Sequence, residues 1–586
     1  MNKKIKILLI IMLFFCESTW ATDYYIDTTG GAASLSACAD SDPGSGNRCT
    51  LAQFNTGATA GDTAQLFAGT YTTALTPTNS GTSGNYITYQ IESSQAEWAV
   101  IVSPSSAGST LNSIDYIKFD GLYFSGTSGR WIDADYADYV IVQGCKFYNA
   151  ANYSGIRLVS CMYWRINNST FSDAPLRDTG ACTYWDAECT TAWNAQTTLP
   201  NDCDCETAPA DMIQVNTGSV GIVVDGCTFG NSSHQSVSSV DGEDTIIRNC
   251  TTDNAYRSGF GSLQGGSGSG RSLIENNTIE NIGDLYTVNP SKNDRWYMDR
   301  GSAGHPGMQL QSQDTIVRLN TIRSSSQSMA IGSNNSYEQD RAADHTRIYH
   351  NTMHDNLRDL RVYVADVVLS ALIMINNISS SSGTGNSGTT DVYGHVAYWS
   401  EEGYANLNYL INNAFCPGTG DLYWHGYTTE YSIASLESTY PSECSDNISV
   451  SSPAFTDADN GYFSLTSSST GLIDAGAFLT TITSSTGSGT SVTVDDPLYF
   501  YDGWSIPGET ADTIYTSAGQ SAVITGVDYS TGVITLATSI TWTNGDGVTV
   551  IDYTGSAPDI GVDEYDLTSY GIAPKFNRGA SVVTIQ

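Results

Sequence analysis

The sequence predicts an all-β chain that is wound as a parallel β-helix, with a small β-domain inserted near its C-terminus. Short phrases such as IENNTIEN (274–281) recur along the chain with a period of about 23–26 residues. Gly, Ser, Asp and Asn fill the gaps between short apolar runs, and no long stretch has a helical period. A period of this length suits one turn of a solenoid.

The repeated phrases align on one position in each coil. Cys145 follows Leu122 by 23 residues, and Ser169 follows Cys145 by 24. The aligned residues are Leu122, Cys145, Ser169, Cys227, Cys250, Asn277, Asn320, Asn351, Asn377 and Asn413. Coils lie about 4.8 Å apart in a sheet, so inward asparagines at this corner stack and satisfy one another's amides. The repeated asparagines therefore predict a structural ladder.

Strands on both sides of the marker complete each coil. A short apolar strand precedes it, such as IVV (222–224) or IV (316–317), and a further strand comes earlier, such as GIRL (155–158), DMIQV (211–215) or GMQL (307–310). Turn residues separate these strands, as expected at the corners of a coil.

Both ends of the chain are similar to a known family. DSDPGSG (40–46) with AGDTAQLFAGTY (60–71) resembles the cap and first coil of right-handed parallel β-helix proteins of the pectate-lyase-like superfamily. SPAFTDADNGYFSLTSSSTGLIDAG (452–476) with APDIGVDEY (557–565) resembles their closing segment. The resemblance covers most of 23–479 and 557–566. It implies the fold, but this scaffold carries many functions, and no catalytic motif of the family matches residue by residue.

The domain organisation follows from these segments. We expect a signal peptide (1–21, cleaved after Ala21), a cap with the first coils (22–115), the β-helix (116–446), a closing segment (447–479 and 557–566), an inserted β-domain (480–556) and a tail (567–586). Loop insertions are expected at 172–210, 284–306, 333–346 and 380–394. The inserted domain reads equally as a carbohydrate-binding module or as a spacer.

Charge and compartment exclude some partners. Without the leader's three lysines and one glutamate, 21 basic and 60 acidic side chains remain. Such an acidic chain is unsuited to nucleic acid or anionic membranes. No later segment is apolar and long enough to span a membrane. We expect a secreted, periplasmic or cell-surface monomer.

Twelve cysteines remain after Cys16 of the leader, an even number that favours disulfides in an exported protein. We expect Cys227 to bond Cys250, because they hold the ladder position on consecutive coils. Local bonds are expected between Cys38 and Cys49 and between Cys416 and Cys444. Cys182, Cys189, Cys203 and Cys205 share one loop, where disulfides are favoured over a zinc site.

The candidate site lies where loop insertions and basic residues coincide. Long loops on a rigid scaffold are the usual place for a site. The insertion around SKNDRWYMDRGSAGHPG (291–307) mixes aromatic rings, which stack on sugars, with cations, which hold carboxylates or sulfates. Its members are Lys292, Arg295, Trp296, Tyr297, Arg300 and His305. We add Arg257 and Gln309 on the neighbouring strands, and Trp399, Glu401 and Glu402 in YWSEEGY (398–404). A solvated loop with internal Arg–Asp pairs is the structural alternative.

Three functions fit such a groove. A polysaccharide lyase needs a base for the C5 proton, here Lys292 or His305, and Arg295, Arg300 or a calcium ion to neutralise the uronate. A glycoside hydrolase needs paired carboxylates, with Asp211, Asp241, Asp294 and Asp299 as candidates. A non-catalytic adhesin only binds glycan. We rank an acidic extracellular polysaccharide and lyase chemistry first, with no cofactor required other than that calcium.

Overall fold

The computed structural model describes the chain from residue 21 to residue 565, with gaps. The described ranges are 21–127, 129–149, 154–172, 211–232, 234–255, 258–263, 270–282, 306–332, 343–356, 358–364, 371–380, 394–400, 409–416, 422–424 and 429–565. For 363–364, 394 and 397–400 only the backbone is described.

Three parallel sheets form the body of the molecule, and each coil contributes one strand to each sheet. Sheet A is built, in spatial order, from β1 (Asp23–Ile26), β2 (Thr63–Leu66), β4 (Ile87–Ile91), β7 (Ile117–Asp120), β10 (Ile141–Gln143), β13 (Arg165–Asn167), β16 (Val223–Asp225), β19 (Thr245–Arg248), β22 (Ser272–Glu275), β25 (Ile316–Arg318), β28 (Arg347–Tyr349), β31 (Ile373–Ile375), β34 (Tyr409–Ile411) and β38 (Cys444–Ser445). Sheet B is built from β3 (Gly69–Tyr71), β5 (Val100–Val102), β8 (Tyr123–Ser125), β11 (Lys146–Tyr148), β14 (Thr170–Ser172), β17 (Thr228–Ser232), β20 (Thr251–Ala255), β23 (Thr278–Glu280), β26 (Thr321–Arg323), β29 (Thr352–His354), β32 (Ile378–Ser380), β35 (Ala414–Cys416) and β39 (Ile448–Ser449). Sheet C is built from β6 (Ser109–Asn112), β9 (Ile132–Asp135), β12 (Ile156–Val159), β15 (Ile213–Val215), β18 (Gln235–Val240), β21 (Ser258–Leu263), β24 (Pro306–Leu310), β27 (Gln327–Ile331), β30 (Arg358–Val364), β33 (Gly394–Ser400), β36 (Leu422–Tyr423) and the antiparallel β37 (Glu430–Tyr431).

The register reproduces the sequence period. Val142 pairs with Phe119 on one side and Ile166 on the other, at separations of 23 and 24 residues. The chain therefore has the predicted right-handed parallel β-helix fold. Its interior is filled by side chains that alternate with outward ones, and Phe124, Phe147 and Phe171 stack there at 4.9 and 4.6 Å between ring centres.

The predicted asparagine ladder is present along the corner between sheets A and B. The Oδ1 atom of Asn320 accepts from both the backbone N and the Nδ2 of Asn277, at 3.0 and 2.9 Å. The same paired contact links Asn351, Asn377 and Asn413 in turn. The ladder begins with the backbone N of Cys250, which donates to Asn277.

Asn447, which the sequence alignment missed, is the last asparagine of the ladder. It accepts from Asn413, and its own backbone N and Nδ2 donate to Oε1 of Glu437 at 2.8 and 3.1 Å. Glu437 lies on helix α2 (Ile433–Thr439), which follows sheet C.

The doubled asparagines have two separate roles. In the pairs that end at Asn277, Asn377 and Asn413, the second residue forms the ladder. The first residue, Asn276, Asn376 or Asn412, has a φ of 52°, 57° or 51°. Asparagine tolerates this left-handed conformation better than most residues. The first asparagine of each pair therefore forms the bend of the backbone, and the second places its side chain in the ladder.

A cap closes the N-terminal end of the solenoid. Helix α1 (Leu51–Gly57) begins after Thr50, which forms a capping box with Gln53. Phe54 of this helix packs edge-on against Tyr24 and Tyr89. The predicted disulfide between Cys38 and Cys49 is confirmed and fixes the cap.

The two other predicted disulfides are wrong. Cys227 and Cys250 are free buried thiols, and the backbone N of Cys227 donates to Sγ of Cys250 at 3.4 Å. Each sulfur occupies the ladder position and hydrogen-bonds backbone, so the pair stacks without bonding. Cys416 and Cys444 are also free, because one lies in sheet B and the other in sheet A, in separate apolar clusters. The four loop cysteines at 182, 189, 203 and 205 fall outside the described residues.

A six-stranded antiparallel domain lies against the outer face of sheet A. It consists of β42 (Thr480–Thr481), β43 (Gly487–Thr493), β44 (Thr513–Thr516), β45 (Ser521–Asp528), β46 (Val533–Trp542) and β47 (Gly547–Thr549). Outward residues of sheet A, among them Val223, Ile246 and Leu273, share one buried cluster with Ile514 and Trp504 of this domain. We call it the docked domain.

Ion pairs also join the docked domain to sheet A. Glu509 accepts from Arg165 and Arg248, at 2.8 and 2.6 Å. Asp512 accepts from Arg318 at 2.7 Å, and Asp496 from Arg347 at 2.9 Å. The docked domain is therefore an integral layer over sheet A.

The closing segment lies against sheet B. It contains the antiparallel strands β40 (Phe455–Asp457) and β41 (Tyr462–Leu465). Leu465, Leu472 and Ile560 pack on Ile378 and Cys416 of sheet B. Short 3₁₀ turns complete the elements at Leu35–Cys38, Ala458–Asn460 and Pro497–Tyr499. Within the described ranges, no helix has the length and apolar character needed to cross a membrane.

Candidate functional site

The outer face of sheet C carries the candidate site, since the docked domain lies on sheet A and the closing segment on sheet B. Two rows of outward residues follow from the strand register. The middle row alternates with core residues and contains Arg157, Gln214, Ser238, Gly261, Gln309, Ala330 and Arg361. The edge row starts each strand on the side of sheet B and contains Gln235, Ser258, Pro306, Gln327 and Arg358.

A histidine–carboxylate pair lies at one end of the edge row. His234 directly precedes Gln235, and its Nδ1 is 2.5 Å from Oδ1 of Asp211 on the preceding coil. The same oxygen accepts from the backbone N of Gln235 at 3.2 Å. The two side chains are 14% and 5% exposed. A carboxylate on Nδ1 favours the tautomer in which that nitrogen carries the proton and Nε2 carries the lone pair.

Amide side chains form the centre of the face. The Nε2 of Gln235 lies 3.2 Å from Oε1 of Gln309, two strands away, and its side chain passes over Gly261 on the strand between them. A Cβ at residue 261 would lie 3.1 and 3.2 Å from the two amide atoms of Gln235, so glycine leaves this path open. The Nε2 of Gln327 donates to the carbonyl of Met329 at 2.8 Å.

Two arginines on β30 carry positive charge to the other end of the face. Arg358 is 7% exposed and Arg361 8%. They lie four strands from His234, which is roughly 19 Å at the usual strand spacing. On the opposite side of His234, the outward charges neutralise one another, because Arg157 donates to Asp133 and Asp135 at 2.6 and 3.0 Å.

One residue of the sequence-predicted site lies on this face, namely Gln309. Trp399 belongs to β33, where only the backbone is described. The remaining members fall outside the described residues: Lys292, Arg295, Trp296, Tyr297, Arg300, His305, Arg257, Glu401 and Glu402. Their assignment stays a prediction.

Sequence reasoning missed His234, Gln235, Ser258, Gln327, Arg358 and Arg361. A signal for part of this set was present. In GIRL, DMIQV and GMQL a single polar residue sits between apolar ones, which marks the outward position of a half-buried strand. The same pattern in LRV (360–362) identifies Arg361.

Two carboxylates proposed for a hydrolase are described. Asp211 is engaged by His234 and the backbone of Gln235, as above. Asp241, on the turn after β18, is 8% exposed and accepts from Thr217 at 3.3 Å. Asp294 and Asp299 lie outside the described residues. Asp211 is held by a histidine and a backbone N–H. A carboxylate in that position is better suited to orienting a base than to protonating a glycosidic oxygen.

A second polar cluster lies inside the solenoid. Ser379 is hydrogen-bonded to Asp359 and lies 2.5 Å from Nδ1 of His395, and Ser328 and Asn356 donate to Asp359 at 3.0 and 2.9 Å. All three central side chains are at most 5% exposed. Its residue types match a nucleophilic triad, but its position among core residues makes it a hydrogen-bonded part of the interior.

The described residues show no cluster of metal ligands. Across the described ranges, no three His, Cys, Asp or Glu side chains are grouped closely enough to hold a metal ion. Calcium in the lyase reaction therefore stays a prediction from the sequence.

Comparison with known proteins gives similarity to β-helix enzymes. No protein-family model matches the chain, and no curated protein sequence matches it. Among solved structures, it is similar to pectate lyase Pel9A, with 13% identity over 94% of this chain and 98% of that chain and a TM-score of 0.39. It is similar to a rhamnogalacturonan lyase, with 14% identity, 67% and 87% coverage and a TM-score of 0.34. It is also similar to the GH136 lacto-N-biosidase from Eubacterium ramulus, with 11% identity, 67% and 64% coverage and a TM-score of 0.35. At such identities and TM-scores, these matches say nothing about the activity of this chain.

Proposed function

We propose that this protein is exported, binds an acidic polysaccharide along the outer face of sheet C, and cleaves it by β-elimination with His234 as the base. The observation that carries the proposal is the His234–Asp211 pair at the edge of a face whose far end holds Arg358 and Arg361.

The reaction follows from the chemistry of a uronate. Nε2 of His234 takes the C5 proton, a double bond forms between C4 and C5, and the C4–O bond breaks. The leaving oxygen takes up a proton from water or from an acid. Asp211 acts as a positioning residue, because it holds His234 in the tautomer with a lone pair on Nε2 and stabilises the imidazolium that forms.

The uronate carboxylate also has to be neutralised close to the base. Arg358 and Arg361 are roughly four strand spacings from His234, so we assign them to carboxylates further along the polymer. For the reacting sugar we assign Arg257. It directly precedes Ser258 in the chain, and Ser258 pairs with Gln235, which His234 precedes.

The test uses the purified full chain. We expect polygalacturonate, alginate or a sulfated glycan to bind more tightly than a neutral glucan, with binding that weakens as salt is added. Turnover should produce the ultraviolet absorbance of an unsaturated uronate. His234→Gln should lower turnover by at least about 100-fold and leave binding intact. His345→Gln, which changes a half-exposed histidine on another corner, is the control.

Each failure has its own meaning. Full turnover in His234→Gln would move the base to Lys292 or His305, to be replaced next. Reducing ends without the absorbance would show a hydrolase. Binding without any product supports the adhesin alternative, and no binding to any acidic glycan overturns the proposal.

A further inference from the structure

Three buried polar atoms in the edge row have no hydrogen-bond partner. They are Oε1 of Gln235, Oγ of Ser258 and Oε1 of Gln327. Their residues are at most 1% exposed. A buried polar atom without a partner is costly, and folded proteins contain few of them. Three in one row of adjacent strands therefore indicate a built feature.

In both glutamines the amide nitrogen donates to another oxygen. Nε2 of Gln327 donates to the carbonyl of Met329, and turning the amide over would place two oxygens against each other. Nε2 of Gln235 is likewise directed at Oε1 of Gln309, across the open position at Gly261. Both unpartnered oxygens are therefore acceptors, so only a hydrogen-bond donor can satisfy them.

We propose that the edge row binds an extended glycan through its free hydroxyl groups. These hydroxyl groups donate hydrogen bonds to Gln235, Ser258 and Gln327. This inference rests on the proposed function and specifies its ligand. Carboxylates, sulfates and O-acetyl groups have no proton to donate, so they cannot satisfy the two glutamine oxygens, whereas the Ser258 hydroxyl can also donate to them.

The spacing of the row sets a minimum size for the ligand. Gln235 and Gln327 lie on strands three spacings apart, which is roughly 14 Å. A single sugar ring cannot reach both oxygens. The ligand that satisfies the row is therefore an oligosaccharide that runs along the solenoid axis with hydroxyls towards the sheet.

The test replaces each glutamine by methionine, which has a similar length and no acceptor oxygen. Gln143→Met is the control, because Gln143 is an exposed glutamine on β10 of sheet A, away from the proposed binding face. The probes are hexamers of galacturonate, mannuronate and glucose, each with free hydroxyls and in O-acetylated form. Binding is measured by calorimetry and the stability of each variant by thermal melting.

We expect Gln235→Met and Gln327→Met to weaken binding of a free-hydroxyl hexamer by about 5- to 30-fold, while Gln143→Met has no effect. Acetylation should weaken binding to the parent protein, and by a smaller factor to Gln327→Met, which keeps only two of the three acceptors. Melting temperatures of the two variants should stay level or rise, because each loses an unsatisfied acceptor.

Other results overturn the inference. Unchanged affinity in both variants, with an intact response to Arg361→Ala, would leave acidic-glycan binding standing and remove the hydroxyl-reading row. A large drop in melting temperature with equal loss for free and acetylated hexamers would assign the row to a buried water or to the core. If only the glucose hexamer binds, and its binding depends on free hydroxyls, the role of the edge row is supported and the proposal of an acidic ligand is wrong. If no hexamer binds, both proposals are wrong.

Discussion

Arg248 of sheet A and Glu509 of the docked domain, 261 residues apart in the chain, form an ion pair of 2.6 Å. Glu509 is fully buried and also accepts from Arg165 and from the hydroxyl of Tyr501. Burial alone would lower the pKa of Arg248, but the carboxylates of Glu509 and Asp225 raise it above its usual value. Two carboxylates, Glu509 and Asp225, thus balance the charges of Arg165 and Arg248 at the joint between two parts of the fold.

Replacing Glu509 by glutamine should weaken the contact between the docked domain and sheet A. The change leaves Arg165 and Arg248 without their shared counter-charge, and breaking a buried pair on one side costs about 3 kcal/mol or more. We expect a lower midpoint in guanidinium unfolding and faster hydrogen exchange in β44 and β45. Glu97→Gln, at an exposed position, is the control. Equal midpoints for the two variants would show that apolar contacts alone hold the domain.

Replacing Asn320 by leucine should destabilise the solenoid by roughly 2–4 kcal/mol. The change removes the acceptor for the backbone N and the Nδ2 of Asn277, and it takes away the side-chain donor to Oδ1 of Asn351, which keeps only the backbone N of residue 320. Asn47→Leu, at an exposed turn, controls for the added apolar surface. A thermal melt compares the two proteins. The ladder has no energetic role if both melt together.

Stability should fall between pH 6.5 and pH 4 because of His350. Burial lowers the pKa of His350 to about 4, and its ring is held between the carbonyl of Gly561 and the amide of Asn376. In the unfolded chain His350 becomes protonated near pH 6.5, whereas in the folded chain it becomes protonated only near pH 4. The loss over this window is up to roughly 3 kcal/mol.

His350→Gln should remove that part of the slope, whereas His345→Gln should keep it. The free energy of unfolding of the variant has to be subtracted from that of the parent at each pH, because Glu564 changes the stability with pH in the opposite direction. Burial and the nearby Asp559 raise the pKa of Glu564 to about 8, so its stabilising effect is lost as the pH rises from about 4.5 to 8. Chemical unfolding at several pH values gives the slopes, and identical curves for parent and His350→Gln would refute the assignment.

Six cysteines should be free in the native protein and resist alkylation. They are Cys145, Cys161, Cys227, Cys250, Cys416 and Cys444. Burial raises the pKa of Cys145 to about 12 and that of Cys161 to about 11, so little thiolate forms at pH 8. Peptide mapping after unfolding without reductant should find all six alkylated and Cys38 bonded to Cys49. A peptide linking Cys227 to Cys250 is the result that this structure does not allow.

The fold was predictable because one period controls it. The position of Asn277, Asn320 and Asn351 recurs at each coil, and a parallel stack allows only one register for a repeated inward side chain. The apolar runs at 222–224 and 273–274 also show that sheet A is buried on both faces, although the identity of its cover does not follow from them.

The candidate site was less predictable, because it depends on which coils lie side by side. His234 and Asp211 are 23 residues apart, and Gln235 meets Gln309 across 74 residues. Composition directed attention to the long basic insertion at 284–306, whereas the described site is built from single polar residues in short strands. Spacing also misjudged Cys227 and Cys250, since consecutive coils bring the two cysteines near each other without a bond between their sulfurs.

The contact of Asn447 with Glu437 defines where the solenoid stops. Each asparagine presents its oxygen to the coil before it and its N–H groups to the coil after it, so the ladder has a direction and its last donors face outward. Glu437 takes up both donors with one oxygen, in the way that an asparagine of a further coil would do. The Glu437 carboxylate therefore caps the asparagine ladder by accepting the hydrogen bonds that the next repeat would accept. It blocks the end on which a second molecule would otherwise add its own first coil and extend the stack into a fibre.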